Sequence, residues 1–189
     1  MKKINIVQIA AFSLLALSSC KEVKKEQTTE AVETTNALVP TKISFTMEPK
    51  SASAVTGEVT FIQEDNSVSM TAELSGLEEG EHAIHIHQTA DCSSADGKST
   101  GGHWNPTNNP HGKWGAEEGF HKGDIGNFMA TAEGTATVTF ITDEWCIGCD
   151  DVNKNILGKG VIVHNGIDDF TSQPSGAAGA RISCAGIIQ

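Results

Sequence analysis

The chain of 189 residues carries 24 aspartates and glutamates against 13 lysines and arginines, a formal net charge of −11. An acidic excess of this size argues against nucleic acid and anionic lipid as partners. It also makes attraction of any anionic substrate a local matter, and the only arginine available for it is Arg181.

At the start, Lys2 and Lys3 precede an apolar run from Ile4 to Leu17, and Leu17-Ser18-Ser19-Cys20 closes it. This reads as an export signal over residues 1–19, too short to span a bilayer comfortably. Small residues directly before a cysteine resemble the lipobox of bacterial lipoproteins. That resemblance implies cleavage before Cys20, lipid on its thiol and amine, and a place in the bacterial cell envelope, periplasmic or outer-membrane associated, with the anchor as the only membrane contact. Processing removes two lysines and takes the formal charge from −11 to −13. Residues 20–37, rich in Lys, Glu and Thr, are expected to form a lipid-anchored disordered tether. As a flexible coil it would span on the order of 20 to 25 Å. Residues 38–189 remain, the size of one domain with a proper core.

Within this domain the apolar residues recur with period two. Ile43, Phe45 and Met47 alternate with polar residues, as do Val59 and Phe61, and Val68, Met70, Ala72 and Leu74. Phe128 and Ala130, Ala136 to Phe140, Ile156 to Val163 and Ala180 to Ile188 continue the pattern. With the segment around His85 these make about eight strands, an all-β sandwich or barrel. Two long connections interrupt it, Gln88 to Gly126 and His164 to Gly179. Loops of that length are uncommon unless functional or tied down.

Six of the seven histidines lie between Glu81 and Asp124. In a strand, His85 and His87 project from one face while Ile86 turns into the core, so the pair makes a metal half-site. An isolated His-x-His is more simply the polar face of a strand. Here His103, His111, His121 and Asp124 follow closely, and imidazole with carboxylate is the donor chemistry of copper and zinc. Disulfides persist in an exported chain. With Cys20 lipidated, Cys92, Cys146, Cys149 and Cys184 allow three pairings. A Cys92–Cys184 bond would clamp the histidine loop to the last strand.

The segments HIHQTADC, GGHWNP, PHG, HKGDIGN, VIVHNGIDD and GAAGARISCAGII resemble, in order, the signatures of copper/zinc superoxide dismutase, and the similarity runs from Lys42 onward. It implies an eight-stranded Greek-key β-sandwich or barrel with two long functional loops, copper on His85, His87, His103 and His164, and zinc on His103, His111, His121 and Asp124, with His103 bridging the two. Asp168 corresponds to a carboxylate that hydrogen-bonds a histidine of each metal, His82 to a structural histidine, and Arg181 to the guanidinium beside copper. The neighbouring Asp169 has no such counterpart. The implied reaction is disproportionation of superoxide to oxygen and hydrogen peroxide, copper being alternately reduced and oxidised, with His103 carrying a proton and Arg181 guiding the anion.

Some features depart from the family. Trp104 stands where Phe is usual and Ala83 where Gly is usual; the second long loop lacks the usual lysines and glutamates. The dimer contact is not legible, so monomer and homodimer stay open. Trp145-Cys146-Ile147-Gly148-Cys149 has no family counterpart. Asp143, Glu144, Asp150 and Asp151 flank that pair and disfavour a reactive thiolate, so a local Cys146–Cys149 disulfide is expected. A copper-acquiring thiol pair is the alternative there. For the whole chain the alternative is a copper/zinc-binding or copper-delivery lipoprotein on the same fold, without turnover.

Overall fold

A computed structural model describes residues 41–189. The expected signal segment, Cys20 and tether lie outside the described residues. Eight antiparallel strands follow one another: β1 (Thr41–Pro49), β2 (Thr56–Glu64), β3 (Ser67–Ser75), β4 (Gly80–His87), β5 (Gly126–Ala130), β6 (Thr135–Thr142), β7 (Gly160–His164) and β8 (Arg181–Gly186). The sheet order is β5-β4-β7-β8-β1-β2-β3-β6.

The two ends of that order, β5 and β6, are consecutive in the chain and separated only by residues 131–134. So short a connection reaches no further than about 18 Å. Eight strands laid flat would be about 34 Å across. The sheet must therefore curl until its ends meet, and the result is a nearly closed Greek-key β-barrel.

Registration explains the core. Phe61 pairs with Met70 and Met70 with Phe140, while Val59 pairs with Ala72 and Ala72 with Val138, so the inward residues of β2, β3 and β6 form layers. The alternation read in β1, β2, β3 and β6 corresponds to this inner face, and Val59, Phe61, Val68, Met70 and Ala72 are fully buried. In β4 every residue from His82 to His87 is buried. Its period persists nonetheless: Ile84 and Ile86 belong to the apolar core, while His85 and His87 point to the opposite face.

The run Ile156 to Val163 is shorter as a strand than its apolar character suggests. Ile156 pairs back on Cys146, its N–H donating to the Cys146 carbonyl at 3.0 Å, and Gly158 then turns with φ +81 before β7 begins at Gly160. β8 likewise ends at Gly186, short of Ile188. Both expected disulfides are formed, Cys92–Cys184 and Cys146–Cys149.

Candidate metal centre

β4 and β7 are antiparallel neighbours with His85 opposite Ile162, so His164, two residues further along β7, lies two register positions from His85 on the same face of the sheet. His103 is brought in by the loop. The Trp104 N–H donates to the Ile86 carbonyl at 2.8 Å, the Gln88 N–H to the Gly102 carbonyl at 3.0 Å, and a β-bridge pairs His87 with His103. A second layer follows: the Gly123 N–H donates to the Trp104 carbonyl at 3.0 Å and the Ile86 N–H to the Gly123 carbonyl at 2.9 Å. The turn carrying His121 and Asp124 is thereby sewn to the same residue of β4.

Two buried donor sets result. His85, His87, His103 and His164 converge with one nitrogen each within 4.8 Å of one another; one nitrogen each of His103, His111 and His121 and a carboxylate oxygen of Asp124 do the same. His103 belongs to both. Its Nδ1 lies 2.8 Å from Asp124 Oδ1 in the second set, which leaves Nε2 for the first.

The orientation of the rings tests whether metals fit. His85 Nδ1, His87 Nε2, His103 Nε2, His111 Nδ1, His121 Nδ1 and His164 Nε2 are buried without a hydrogen-bond partner. Unpaired buried polar atoms are rare because each carries a desolvation cost. Six of them converging is the pattern of lone pairs aimed at cations. The opposite nitrogens are anchored: His85 Nε2 to Asp168 Oδ2 at 2.8 Å, His111 Nε2 to Asp168 Oδ1 at 2.8 Å, His87 Nδ1 to the Gly101 carbonyl at 2.9 Å and His164 Nδ1 to the Gly179 carbonyl at 3.3 Å. Such partners fix the tautomer and the angle of a ligating ring.

Protonation favours the same reading. Burial pushes His87 and His164 well below the ordinary imidazole value, reinforced by neighbouring histidines. Burial also takes His103 down to about 4 despite its bond to Asp124. These rings are neutral, with lone pairs free. Burial acts against a charge on Asp124, yet its hydrogen bond with His103, the close approach of His111 Nδ1 and His121 Nδ1 at 3.0 and 3.2 Å, and the His121 backbone N–H hold it far below the usual carboxylate range. His111 is disfavoured as a cation by burial, but Asp124 and Asp168 outweigh that and raise it to about 9. A positive charge is favoured at this spot, and a divalent cation would supply it. Four imidazoles suit copper, and three imidazoles with a carboxylate suit tetrahedral zinc.

An open cavity of about 620 Å³ leads to the first set, with His87, His103, His164 and Arg181 in its wall. Arg181 is the register partner of His164 across β7 and β8, next to a register shift that leaves Ile182 of β8 as the extra residue. Its Nη1 donates to the Gly97 carbonyl at 2.9 Å and to Thr100 Oγ1 at 3.1 Å, which pins the half-buried guanidinium in that wall.

The family model for copper/zinc superoxide dismutase matches residues 55–187. The chain belongs to that family. Among solved structures it is similar to a double mutant and a single mutant of a SOD-like protein from Bacillus subtilis. Each is 28% identical with a TM-score of 0.69, over 77% of this chain and 97% of the other. Membership of the copper/zinc superoxide dismutase family accounts for the shared barrel and for two donor sets at one end of it.

All seven metal-ligand positions read from the sequence are brought together, and Asp168 spans His85 and His111. His82 is buried away from both sets, with Nδ1 3.0 Å from the His164 carbonyl and Nε2 2.9 Å from that of Glu78. Asp169 is exposed but not idle, since its carboxylate accepts from the Thr171 and Ser172 N–H groups. Sequence reasoning missed three supports. Gln173 latches the loops, its Oε1 accepting from the His111 N–H and its Nε2 donating to the His111 carbonyl, both at 2.9 Å. Asn127 bonds both backbone groups of Asp168, at 2.8 and 2.9 Å. Gly176, with φ +66, lies where a Cβ would strike both Asp168 Oδ1 and His111 Nε2.

Proposed function

We propose that the domain disproportionates superoxide to oxygen and hydrogen peroxide. The observation that carries this reading is the sharing of His103 by two buried donor sets beside a cavity that holds the chain's only arginine. Copper on His85, His87, His103 and His164 would supply one-electron redox chemistry, and zinc on His103, His111, His121 and Asp124, being without redox chemistry, would hold the loop. Arg181 draws the anion to the cavity wall, its planar charge suited to a small oxyanion. His103 can hold a proton at Nε2 and release it toward the cavity while Nδ1 stays engaged. Asp168 keeps the rings of His85 and His111 in one orientation throughout.

The same reading has the mature chain lipid-anchored through Cys20 in the bacterial envelope; fatty-acid labelling of the wild type, lost in Cys20→Ser, checks that part. For the activity, metal content and superoxide turnover are measured on one sample. One copper and one zinc per chain with turnover far above free copper is the expected result. Bound metal without turnover would leave a metal-binding or copper-delivery protein.

A further inference from the structure

Between β6 and β7 the segment Asp143 to Asp151, with the Cys146–Cys149 disulfide, has no part in the reaction just described. We propose that it is an outer clamp for the zinc half of the centre, with Trp145 as the positioning residue. The inference rests on the zinc reading of His103, His111, His121 and Asp124.

Trp145 is almost completely buried, at 1% exposure. Its Nε1–H donates to the Lys122 carbonyl at 2.8 Å, and Lys122 lies within the tight turn that carries His121 and Asp124. That turn is closed on itself, the Asp124 N–H reaching the His121 carbonyl at 3.1 Å and the His121 N–H reaching Asp124 Oδ2 at 2.8 Å. A displacement of Lys122 therefore moves both donors. The neighbouring Glu144 carboxylate pairs with the Lys122 ammonium on the same turn. The Trp145 ring also meets Trp114, which lies between His111 and His121, edge to face at 6.0 Å, and packs against Phe61 and Phe140 of the barrel at 6.3 and 5.0 Å. One side chain thus couples the barrel wall to two points of the zinc-side loop.

The grip is two-sided. From within, Gly123 hangs on Trp104 and Ile86 through backbone hydrogen bonds. From without, Trp145 holds Lys122. A clamp needs a fixed base, and the residues after Trp145 provide it. The Cys146 N–H donates to the Lys154 carbonyl at 2.8 Å, and the Ile147 N–H to Gln63 Oε1 of β2 at 2.6 Å. Asn155 bonds the Gly148 N–H and the Cys149 carbonyl at 3.1 and 3.0 Å, and the disulfide closes the same turn. A local disulfide at this place has a use that a reactive thiol pair would not: it holds the backbone next to Trp145.

The test is zinc competition against a chromophoric chelator on the full chain, with thermal unfolding of metal-free and zinc-loaded protein beside it. Trp145→Phe keeps the ring packing and removes the donor; zinc affinity should fall about tenfold, the low end for groups that support a metal's ligands. Replacing Cys146 and Cys149 together by Ser, in a chain still stapled by Cys92–Cys184, should lower zinc affinity in the same direction and keeps the question open to measurement if the tryptophan variant does not fold. A role confined to fold stability would lower both melting temperatures alike and leave zinc affinity within twofold, and that result overturns the clamp. A wild type that binds no zinc, or binds it as tightly after His121→Ala, removes the zinc reading and the clamp with it.

Discussion

His85, His87 and His164 stand on β4 and β7, hydrogen-bonded strands in fixed register, whereas His103, His111, His121 and Asp124 all come from the connection between β4 and β5. The copper side is thus positioned by the period of a strand and the pairing of its neighbour. The zinc side depends on closing a long loop, and closure is distributed over many small restraints: the bond of Cys92 to β8, the stitching of Trp104 and Gly123 to Ile86, the Gln173 latch, and Trp145. One centre therefore has a half that the sheet makes and a half that the loop must be held to make.

The sharpest way to separate the halves is His164→Ala. It removes a strand-borne donor that the zinc set does not use, so superoxide turnover should drop to background while zinc content and the fold persist. Zinc lost along with copper would show that the halves are not separable. Next in size is the loop anchor. Replacing Cys92 and Cys184 by Ser opens a cross-link of sequence separation 92, worth roughly 4 to 5 kcal/mol in the chain-entropy model. Denaturant unfolding should show that loss, and chelator competition should show zinc weakened more than copper.

Asp168→Asn tests the group that joins the halves. The amide keeps the size but only one acceptor oxygen, so it cannot serve His85 Nε2 and His111 Nε2 together. One of the two metals should bind roughly 10- to 100-fold more weakly. Unchanged affinity for both would show the bridge to be dispensable. The smallest of these effects belongs to Arg181, which is a member of neither donor set and hydrogen-bonds to neither. Arg181→Ala should cut the second-order rate with superoxide roughly tenfold at unchanged metal content. Arg181→Lys should restore part of it, since charge returns without the planar fork. A stopped-flow rate equal to wild type for Arg181→Ala would end the guidance role.

The two halves also differ in how far they can be read from the chain. Period two exposes the strands and the face of His85 and His87, because alternation is a property of neighbouring residues. The family resemblance supplies the loop ligands. What neither shows is the acceptors that aim the rings of His87 and His164, since these are backbone carbonyls of Gly101 and Gly179 and every residue has one. Gly176 is invisible for a related reason: what matters there is the missing Cβ against Asp168 and His111. Trp145 stands in the sequence only as part of a Cys-x-x-Cys segment without a family counterpart, and its indole N–H ends on Lys122 only in the fold. The overextended strand at Ile156 has its cause in Gly158, whose left-handed turn interrupts an apolar run that alternation alone would continue.

Among the described residues Arg181 is the only arginine or lysine in the cavity wall, half-buried, in a chain with a net charge of −11. Dissolved ions screen distant charges before near ones, the Debye length falling from about 30 Å at 0.01 M to about 10 Å at 0.1 M. Added sodium chloride therefore weakens the repulsion of superoxide by the distant acidic surface first, and its attraction to Arg181 at short range last. Over about 10 to 100 mM salt the second-order rate should rise, opposite to an enzyme that gathers an anion over a broadly positive face. Ionic strength becomes an accelerator, with the optimum reached where the acidic surface has faded and the single guanidinium has not.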